Sequence, residues 1–331
     1  MSKISASRRL EGAGSAIHFL TRAVGSRYNP LLAQLVVTRR CNLACGYCNE
    51  YDDFSPPVPL ETVRARIDHL ATLNTASITF TGGEPLLHPD LDKIIAAARR
   101  HGMIVTMITN GFRLTADWIA RLNAAGLQGM QISIDNLEPD EISMKSLKSV
   151  EGKLELLSRL ADFKVNVNSV LGVSGERTQD IVTVAETAAK YGLQHSVGVL
   201  HDHTGNLKPL SAAQMDAYTK VTTISPSLVH SLNYWLFQKN LMRGQPNDWK
   251  CRAGARYLYI CEEGKVHWCS QQRGYPGTPL LEYTRADIRR EYHTVKSCAP
   301  TCTLSCVHQM SMLDRHLGAQ KINDPVAART T

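Results

Sequence analysis

Short apolar, β-branched runs alternate with helix-like stretches between residues 33 and 210. The runs predict strands at Gln34–Arg39, Ser77–Thr81, Ile104–Thr109, Gly129–Asp135, Val165–Val170 and Ser196–His201. The stretches between them predict helices at Leu60–Leu73, Leu91–His101, Ala116–Ala125, Gly152–Ala161 and Gln179–Tyr191. Repeated strand–helix units build a parallel sheet covered by helices. Because a closed barrel of this kind has eight strands, the sequence predicts an α/β fold with an open, partial (βα)6 barrel.

Residues at the predicted helix ends support this assignment. Thr115 precedes the third helix and offers a hydroxyl that caps free backbone N–H groups. Gly102, Gly126 and Gly192 follow helix ends, where a left-handed residue closes the last turn most easily when it lacks a Cβ.

The pattern changes along the chain and predicts five segments. They are a basic N-terminal arm (1–32), the barrel core (33–210), a helical linker (211–248), a small cysteine-rich C-terminal domain (249–317) and a tail (318–331). The linker contains a helical patch and an aromatic stretch with Tyr234, Trp235 and Phe237. The cysteine-rich domain combines short strands, glycines and cysteines, so we expect bound metal to hold it together more than an apolar core.

Composition narrows the class of protein. Of 331 residues, 43% are hydrophobic and 20% are charged, which is typical of a globular chain and excludes a disordered or fibrous one. No apolar run approaches the ~20 residues of a membrane span, and the N-terminus shows no secretory signal pattern. These features predict a cytoplasmic protein.

The net charge of +7 is concentrated in part at the N-terminus. Basic side chains there are Lys3, Arg8, Arg9, Arg22 and Arg27, and apolar Ile17, Leu20 and Val24 recur at near-helical spacing. One interpretation is a solvated arm that caps the core. The other is a surface helix that contacts lipid headgroups or an acidic substrate. Basic and aromatic residues form no common stripe, so we expect no nucleic-acid partner.

Nine cysteines fall into three groups of three. The groups are Cys41, Cys45 and Cys48; Cys251, Cys261 and Cys269; and Cys298, Cys302 and Cys306. Disulfides are not expected in a reducing cytosol, so the grouping indicates metal binding.

The first group directly follows the first predicted strand. Zinc sites usually have four ligands, and no histidine near Cys41, Cys45 and Cys48 supplies a fourth. Three thiolates on a four-iron cluster leave one iron free for chemistry. A zinc site completed by a distant residue is the alternative.

Further motifs follow the next predicted strands. Thr81-Gly82-Gly83-Glu84-Pro85 follows the second strand, Asn110 follows the third, and Ser133-Ile134-Asp135 ends the fourth. Ligands of parallel sheets bind at the carboxyl ends of strands. Together with the Cys-x3-Cys-x2-Cys spacing and Tyr47 before the third cysteine, these motifs resemble the radical S-adenosylmethionine (SAM) superfamily over about residues 33–205.

The resemblance implies a [4Fe-4S] cluster with an open iron, held by Cys41, Cys45 and Cys48, that binds the amino and carboxylate groups of SAM. An electron donor such as flavodoxin or ferredoxin would reduce this cluster. Cleavage of SAM then yields a 5′-deoxyadenosyl radical that takes hydrogen from a substrate, so the cofactor supplies the chemistry and the protein aims it.

The predicted SAM-binding residues are Tyr47, Gly82, Gly83, Glu84, Pro85, Asn110, Ser133, Asp135 and Asn168. Gly82 and Gly83 allow the backbone to approach a ligand closely, and Glu84 supplies a carboxylate for the ammonium of SAM. Polar residues at strand ends are also common as simple turn formers, which is the alternative for each of them taken alone.

Two other features point to the inside of the barrel. Asn166 and Asn168 share one face of the fifth strand by its period of two. Since asparagine is a poor strand former, the pair indicates a polar lumen. His201, Asp202 and His203 end the sixth strand and are candidate catalytic residues; a loop histidine paired with its neighbouring aspartate is the alternative.

The remaining cysteines resemble the SPASM or twitch extensions of the same superfamily. Cys251-x12-Gly264-x4-Cys269 matches the opening of such domains, and Cys302-x3-Cys306 matches part of the closing pattern. The resemblance implies one auxiliary [4Fe-4S] cluster. Its predicted ligands are Cys251, Cys269, Cys302 and Cys306, with Cys298 as the alternate and Cys261 as a spare thiol. A structural zinc ion is the alternative.

The sequence thus predicts a radical SAM oxidoreductase or maturase. We expect net oxidation or C–C or C–X bond formation on a peptide or protein, and modification of a small molecule or lipid is the alternative. About 32 residues precede the first strand, so we expect no leader-binding module in this chain. A non-catalytic iron–sulfur scaffold is the alternative from another class, but it has no use for the Gly82–Pro85 motif.

Overall fold

The computed structural model describes residues 6–48, 50–171, 177–200 and 209–316. The strands are β1 (Leu32–Thr38), β2 (Ser77–Gly82), β3 (Ile104–Thr109), β4 (Gly129–Ser133), β5 (Lys164–Leu171), β6 (Gln194–Val199), β7 (Tyr257–Ile260), β8 (Lys265–His267) and β9 (Pro276–Pro279). The helices are α1 (Ala6–Gly25), α2 (Leu60–Thr72), α3 (Leu91–Arg100), α4 (Ala116–Ala125), α5 (Leu147–Leu160), α6 (Asp180–Lys190), α7 (Ala212–Ile224), α8 (Leu228–Asn233), α9 (Lys239–Leu241), α10 (Arg285–His293) and α11 (Ser305–His316). Short 3₁₀ turns span Pro85–Leu87, Leu280–Glu282 and Ala299–Thr301, and a π-helical turn spans Tyr234–Gln238.

The strands form one sheet in the order β6-β5-β4-β3-β2-β1-β7-β8-β9. All pairs from β6 to β7 are parallel, and β8 and β9 continue the sheet in antiparallel pairs. Each predicted strand overlaps one of β1–β6, with ends that differ by two residues or fewer. The α/β fold with a partial (βα)6 barrel is confirmed, and β7 brings the cysteine-rich region directly onto β1.

The main core lies between the sheet and the helices. On β5, Val165, Val167 and Leu171 are buried towards the helices, whereas Asn166 and Asn168 lie on the opposite face, which we call the inner face. Each fully buried aliphatic side chain contributes about 1.5–3 kcal/mol relative to an exposed one. A second apolar cluster packs the C-terminal region against the inner face of β1 through residues including Val36, Phe237 and Trp249.

Local signals explain both ends of α4. The Thr115 hydroxyl accepts a hydrogen bond from Trp118 N (3.1 Å), and Gly126 ends α4 in the left-handed region at φ 83°. Helix α5 begins earlier than Gly152, at Leu147, because its apolar stripe extends through Leu147 and Val150. A Cβ on Gly152 would meet no atom within 4 Å, so this glycine lies in the helix without a packing requirement.

The N-terminal arm forms α1, which is fastened at its carboxyl end. The buried Arg256 guanidinium donates to the carbonyl oxygens of Ala23 (2.9 Å) and Ser26 (2.8 Å). Nearer the N-terminus of α1, the side chains of Ile17 and Leu20 are exposed. Among the residues that the structure describes, no helix has the length and apolar character needed to cross a membrane.

Candidate functional site

The loop after β1 carries Cys41, Cys45 and Cys48 at the carboxyl end of the sheet. Its base is closed by Cys41 N donating to Asp52 O (2.8 Å) and Asp52 N donating to Arg39 O (3.1 Å). Cys48 N donates to Cys45 O (3.0 Å), which makes a tight turn between these two cysteines. The loop backbone therefore bends so that its three thiols share one region.

The pKa values of Cys41 and Cys48 depend on burial and on neighbouring groups. Burial raises the pKa of Cys41 to about 11, with smaller contributions in the same direction from Glu84 and Cys48, while the Leu43 backbone N–H and Lys145 lower it. Burial also raises the pKa of Cys48, and Cys45 adds to that shift. Because iron and zinc bind thiolates, metal binding here must release protons.

Backbone and amide donors point at these sulfurs. Leu43 N donates to Cys41 Sγ (3.4 Å), Met144 N donates to Cys45 Sγ (3.3 Å), and Asn110 Nδ2 lies 3.7 Å from Cys41 Sγ. Hydrogen bonds to sulfur stabilise the negative charge of a metal-bound thiolate. Within the described ranges no three Cys, His, Asp or Glu side chains approach closely enough to share a single metal ion. The donor set of three neighbouring thiols with N–H donors fits an iron–sulfur cluster.

Gly82 and Gly83 press against the strand that leads into the cysteine loop. Gly83 N donates to Thr38 O (2.9 Å), and a Cβ on either glycine would collide with backbone oxygens of residues 38–40. Gly82 also has a φ of 147°, which L side chains rarely adopt. The sequence predicts that Gly82 and Gly83 let the backbone approach a ligand. In the structure they let the backbone of this loop approach the backbone of residues 38–40.

Gly83→Ala is expected to lower the free energy of unfolding by about 3 kcal/mol or more. The new Cβ would collide with the backbone oxygens of Arg39 and Arg40, which cannot move aside as a flexible side chain could. Gly152→Ala is the matched control, since its Cβ would meet open space and alanine favours a helix. Urea unfolding of both apo-proteins checks this. Equal midpoints for Gly83→Ala and the parent chain would show that the loop yields easily.

Glu84 is fully buried and braces two strand ends. Its carboxylate accepts hydrogen bonds from Leu86 N (2.9 Å), Thr109 Oγ1 (2.7 Å) and Asn110 N (2.8 Å). Burial raises its pKa and these three donors lower it. The carboxylate thus ties the Gly82–Pro85 loop to the end of β3, and its contact with the ammonium of SAM stays a prediction. Pro85 is buried and starts a 3₁₀ turn.

The other predicted SAM-binding residues gather at the same edge. Asn110 Nδ2 donates to Asn42 Oδ1 in the cysteine loop (3.0 Å). Asp135 Oδ2 accepts a hydrogen bond from the Tyr47 hydroxyl (2.8 Å), so the end of β4 is also tied to the cysteine loop. Ser133 lies opposite Asn168 in the β4–β5 register. The candidate catalytic residues His201, Asp202 and His203 lie outside the described residues.

Ser143 and Lys145 also belong to the site, but neither lies in any of the sequence motifs. Both lie in the loop between β4 and α5, which has no periodic pattern and no recognisable spacing. Ser143 Oγ donates to Asp135 Oδ2 (2.7 Å), and Lys145 Nζ donates to the Tyr47 hydroxyl (2.6 Å). An open pocket lies beside Ser143, lined in part by Tyr47, Asp135, Val170 and Arg177. Only their contacts in the folded chain identify them.

In the C-terminal region Cys251, Cys269, Cys298 and Cys302 lie near enough to one another for the ionisation of one to affect the others. Burial raises the pKa of Cys302, and Cys251, Cys269 and Cys298 raise it further. Burial raises the pKa of Cys269 to about 12, with additions from Cys251 and Cys298. The turn between Cys298 and Cys302 is held by Trp249 Nε1, which donates to Ala299 O (2.7 Å).

Cys306 and Cys261 pack in the same apolar cluster as Cys251, Cys269 and Cys302, but their polar neighbours differ. Cys306 Sγ lies 4.0 Å from Gln34 Nε2. It also adjoins Tyr257, whose hydroxyl lowers its pKa against the larger effect of burial. Cys261 is buried beside Arg66, whose pKa is lowered by burial and raised by this thiol.

Residues 35–188 match the sequence pattern of the Radical SAM superfamily. This segment is a radical SAM domain. Its cofactors in the family are a [4Fe-4S] cluster and SAM, and the three thiols and the Gly82–Pro85 loop lie within it. The sequence-based recognition of the superfamily is therefore confirmed.

Curated relatives match the radical SAM domain in part. An AdoMet-dependent heme synthase of Nitratidesulfovibrio vulgaris is 36% identical over 122 residues, which is 36% of this chain and 33% of the relative. A PqqA peptide cyclase of Xanthomonas axonopodis pv. citri is 31% identical over 149 residues, which is 42% of this chain and 37% of the relative. The chain thus spans about a third of the length of these relatives.

The fold likeness extends beyond the radical SAM domain. The crystal structure of Streptococcus suis SuiB bound to the precursor peptide SuiA superposes with a TM-score of 0.62 at 15% identity, covering 89% of this chain and 74% of that chain. At this identity the likeness concerns the fold. The cysteine-rich region after the radical SAM domain fits a SPASM-like extension.

Proposed function

We propose that this chain is a radical SAM enzyme that modifies a peptide, with net oxidation or formation of a C–C or C–X bond. The observation that carries the proposal is the placement of Cys41, Cys45 and Cys48 beside the Gly82–Pro85 loop in a radical SAM domain. When bound, the cluster and SAM supply a radical that removes a hydrogen atom from the substrate.

The chain's own residues position that chemistry. Glu84 and Asn110 fix the ends of β2 and β3 against the cysteine loop, and Asp135 fixes the end of β4 through Tyr47. These hydrogen bonds hold the loop at the edge where SAM binds. Rigid placement matters, because hydrogen transfer needs the reacting atoms aligned at close range.

The inner face supports a substrate rich in amide groups. Beside apolar residues such as Ile108 and Val170, it carries neutral amide and hydroxyl side chains on successive strands, namely Gln34, Thr79, Thr106, Gln131, Asn166, Asn168 and Ser196. Ser196 Oγ donates to Asn168 Oδ1 (2.9 Å) and accepts from Asn166 Nδ2 (2.7 Å). Amides both donate and accept, so this surface matches a peptide better than a lipid tail. The relatives named as a peptide cyclase and as bound to a precursor peptide support the same class.

The auxiliary site lies on the same face of the sheet. Tyr257 OH donates to Gln34 Oε1 (2.6 Å) beside Cys306, and Tyr259 OH donates to Glu50, two residues after Cys48. Strand β7, which leads into the cysteine-rich region, is thus tied both to β1 and to the first cysteine loop. We propose Cys251, Cys269, Cys298 and Cys302 as the auxiliary ligands, because Cys251, Cys269 and Cys298 raise the pKa of Cys302. In this proposal Cys298 takes the place of Cys306 in the set expected from spacing. Four thiolates leave no open iron, which favours an electron-accepting or bracing role.

A small-molecule substrate is the second candidate, since one relative is named as a heme synthase. The test uses the anaerobically reconstituted protein with dithionite and SAM. Peptides encoded beside its gene are added in one arm, and porphyrins in the other. We expect 5′-deoxyadenosine, with a peptide that has lost hydrogen. Porphyrin conversion with unchanged peptides would contradict the peptide substrate, and a lack of 5′-deoxyadenosine in both arms would contradict the enzyme class.

A further inference from the structure

Lys145 points into the cysteine loop from the loop between β4 and α5. Its Nζ donates to the Tyr47 hydroxyl (2.6 Å) and lies 4.9 Å from the centre of the Tyr47 ring. Tyr47 is next to Cys48 in sequence, so the ammonium is anchored on the metal-binding loop itself. Lys148, one turn further along, instead reaches an exposed ion pair with Glu138 (2.9 Å).

The residues just before Lys145 contact the cysteine loop directly. Met144 N donates to Cys45 Sγ (3.3 Å), and Ser143 Oγ lies 4.0 Å from the same sulfur. The ammonium itself is hydrogen-bonded to Tyr47, the residue before Cys48. The positive charge is therefore held against the loop that carries all three thiols.

Asp135 alone does not account for this position. Lys145 reaches the Asp135 carboxylate through the Tyr47 hydroxyl, which donates to Asp135 Oδ2 (2.8 Å). The carboxylate also accepts from Ser143 Oγ (2.7 Å). If Lys145 only neutralised Asp135, a direct hydrogen bond between the ammonium and the carboxylate would be the stronger contact. Its place beside the thiols therefore has a separate physical consequence.

We propose that Lys145 is a positioning charge for the cluster held by Cys41, Cys45 and Cys48, and that it raises the reduction potential of that cluster. The inference rests on the proposed function, because it needs a redox-active cluster at these thiols. Reduction adds one electron and hence one negative charge, and a fixed positive charge nearby stabilises the reduced form. The hydrogen bond to the Tyr47 hydroxyl holds the ammonium of Lys145 in this position.

The experiment measures the midpoint potential of this cluster by redox titration in Lys145→Met, in Lys145→Arg and in the control Lys148→Met. Removal of the charge in Lys145→Met is expected to shift the reduction equilibrium about tenfold towards the oxidised form, or about 59 mV for a one-electron couple. Lys145→Arg keeps the charge and should restore most of the potential. Lys148→Met should leave it unchanged, because that side chain is exposed.

Tyr47→Phe is the second variant, in case Lys145→Met fails to assemble a cluster. It removes the anchor but keeps the lysine, so the potential should fall by less than in Lys145→Met. Potentials of Lys145→Met or Tyr47→Phe equal to that of Lys148→Met would overturn the proposal for Lys145. Failure of the parent chain to bind iron at Cys41, Cys45 and Cys48 would instead overturn the proposed function.

Discussion

Cys45→Ala is expected to reduce the formation of 5′-deoxyadenosine to the level without protein. Cys45 is one of only three thiols in the loop after β1, and its sulfur accepts a hydrogen bond from Met144 N (3.3 Å). With two thiolates left, the loop cannot hold a four-iron cluster firmly, so the cluster proposed to cleave SAM is lost. The measurement is product formation after anaerobic reconstitution with dithionite and SAM.

Cys261→Ala is the matched control for Cys45→Ala. Both cysteines are buried, but Cys261 lies beside Arg66 and is not among the ligands that we propose for either cluster. The control should keep the iron and the activity of the parent chain. Equal product formation by Cys45→Ala and Cys261→Ala would support the non-catalytic scaffold and contradict an enzyme.

Cys302→Ala is expected to lose about half of the bound iron, from about eight atoms per chain to about four. Cys302 lies near Cys251, Cys269 and Cys298, each of which raises its pKa. Its removal is therefore expected to open the auxiliary group. SAM cleavage without substrate should persist, because the first cysteine loop is untouched. Iron and sulfide analysis, with the 5′-deoxyadenosine assay, measures both effects.

Cys298→Ala and Cys306→Ala form a matched pair for the fourth ligand. The contacts of the fold predict that Cys298→Ala loses as much iron as Cys302→Ala, whereas Cys306→Ala keeps it. The reverse result would restore the assignment based on the Cys302-x3-Cys306 spacing. Iron equal to that of the parent chain in all three variants would mean that none of these three cysteines is needed to hold a cluster.

Most of the fold follows from the sequence because each of β1–β6 buries one face against helices. The period of two on β5 separates Val165 and Val167 from Asn166 and Asn168 without knowledge of any contact. Helix starts were harder to predict. The start of α5 depends on burial of Leu147, since Gly152 looks like a helix boundary until its surroundings are known.

The site was predictable where function needs a fixed spacing. The first cysteine loop and the Gly82–Pro85 loop are contiguous, so their motifs are visible in one dimension. Lys145 and Ser143 act through contacts between loops that are distant in sequence, and no local pattern marks them. The preference for Cys298 over Cys306 likewise depends on how α11 and its preceding turn pack on β7. Spacing alone leaves that choice open.

The central claim is that three thiolates hold a cluster with one iron free for SAM. The most direct measurement is the electron paramagnetic resonance spectrum of the reduced Cys302→Ala protein, in which only the first cluster should remain, before and after addition of SAM. The account predicts that SAM changes the g values, because it binds the free iron. An identical spectrum at saturating SAM, with all four irons coordinated by the protein, would contradict it.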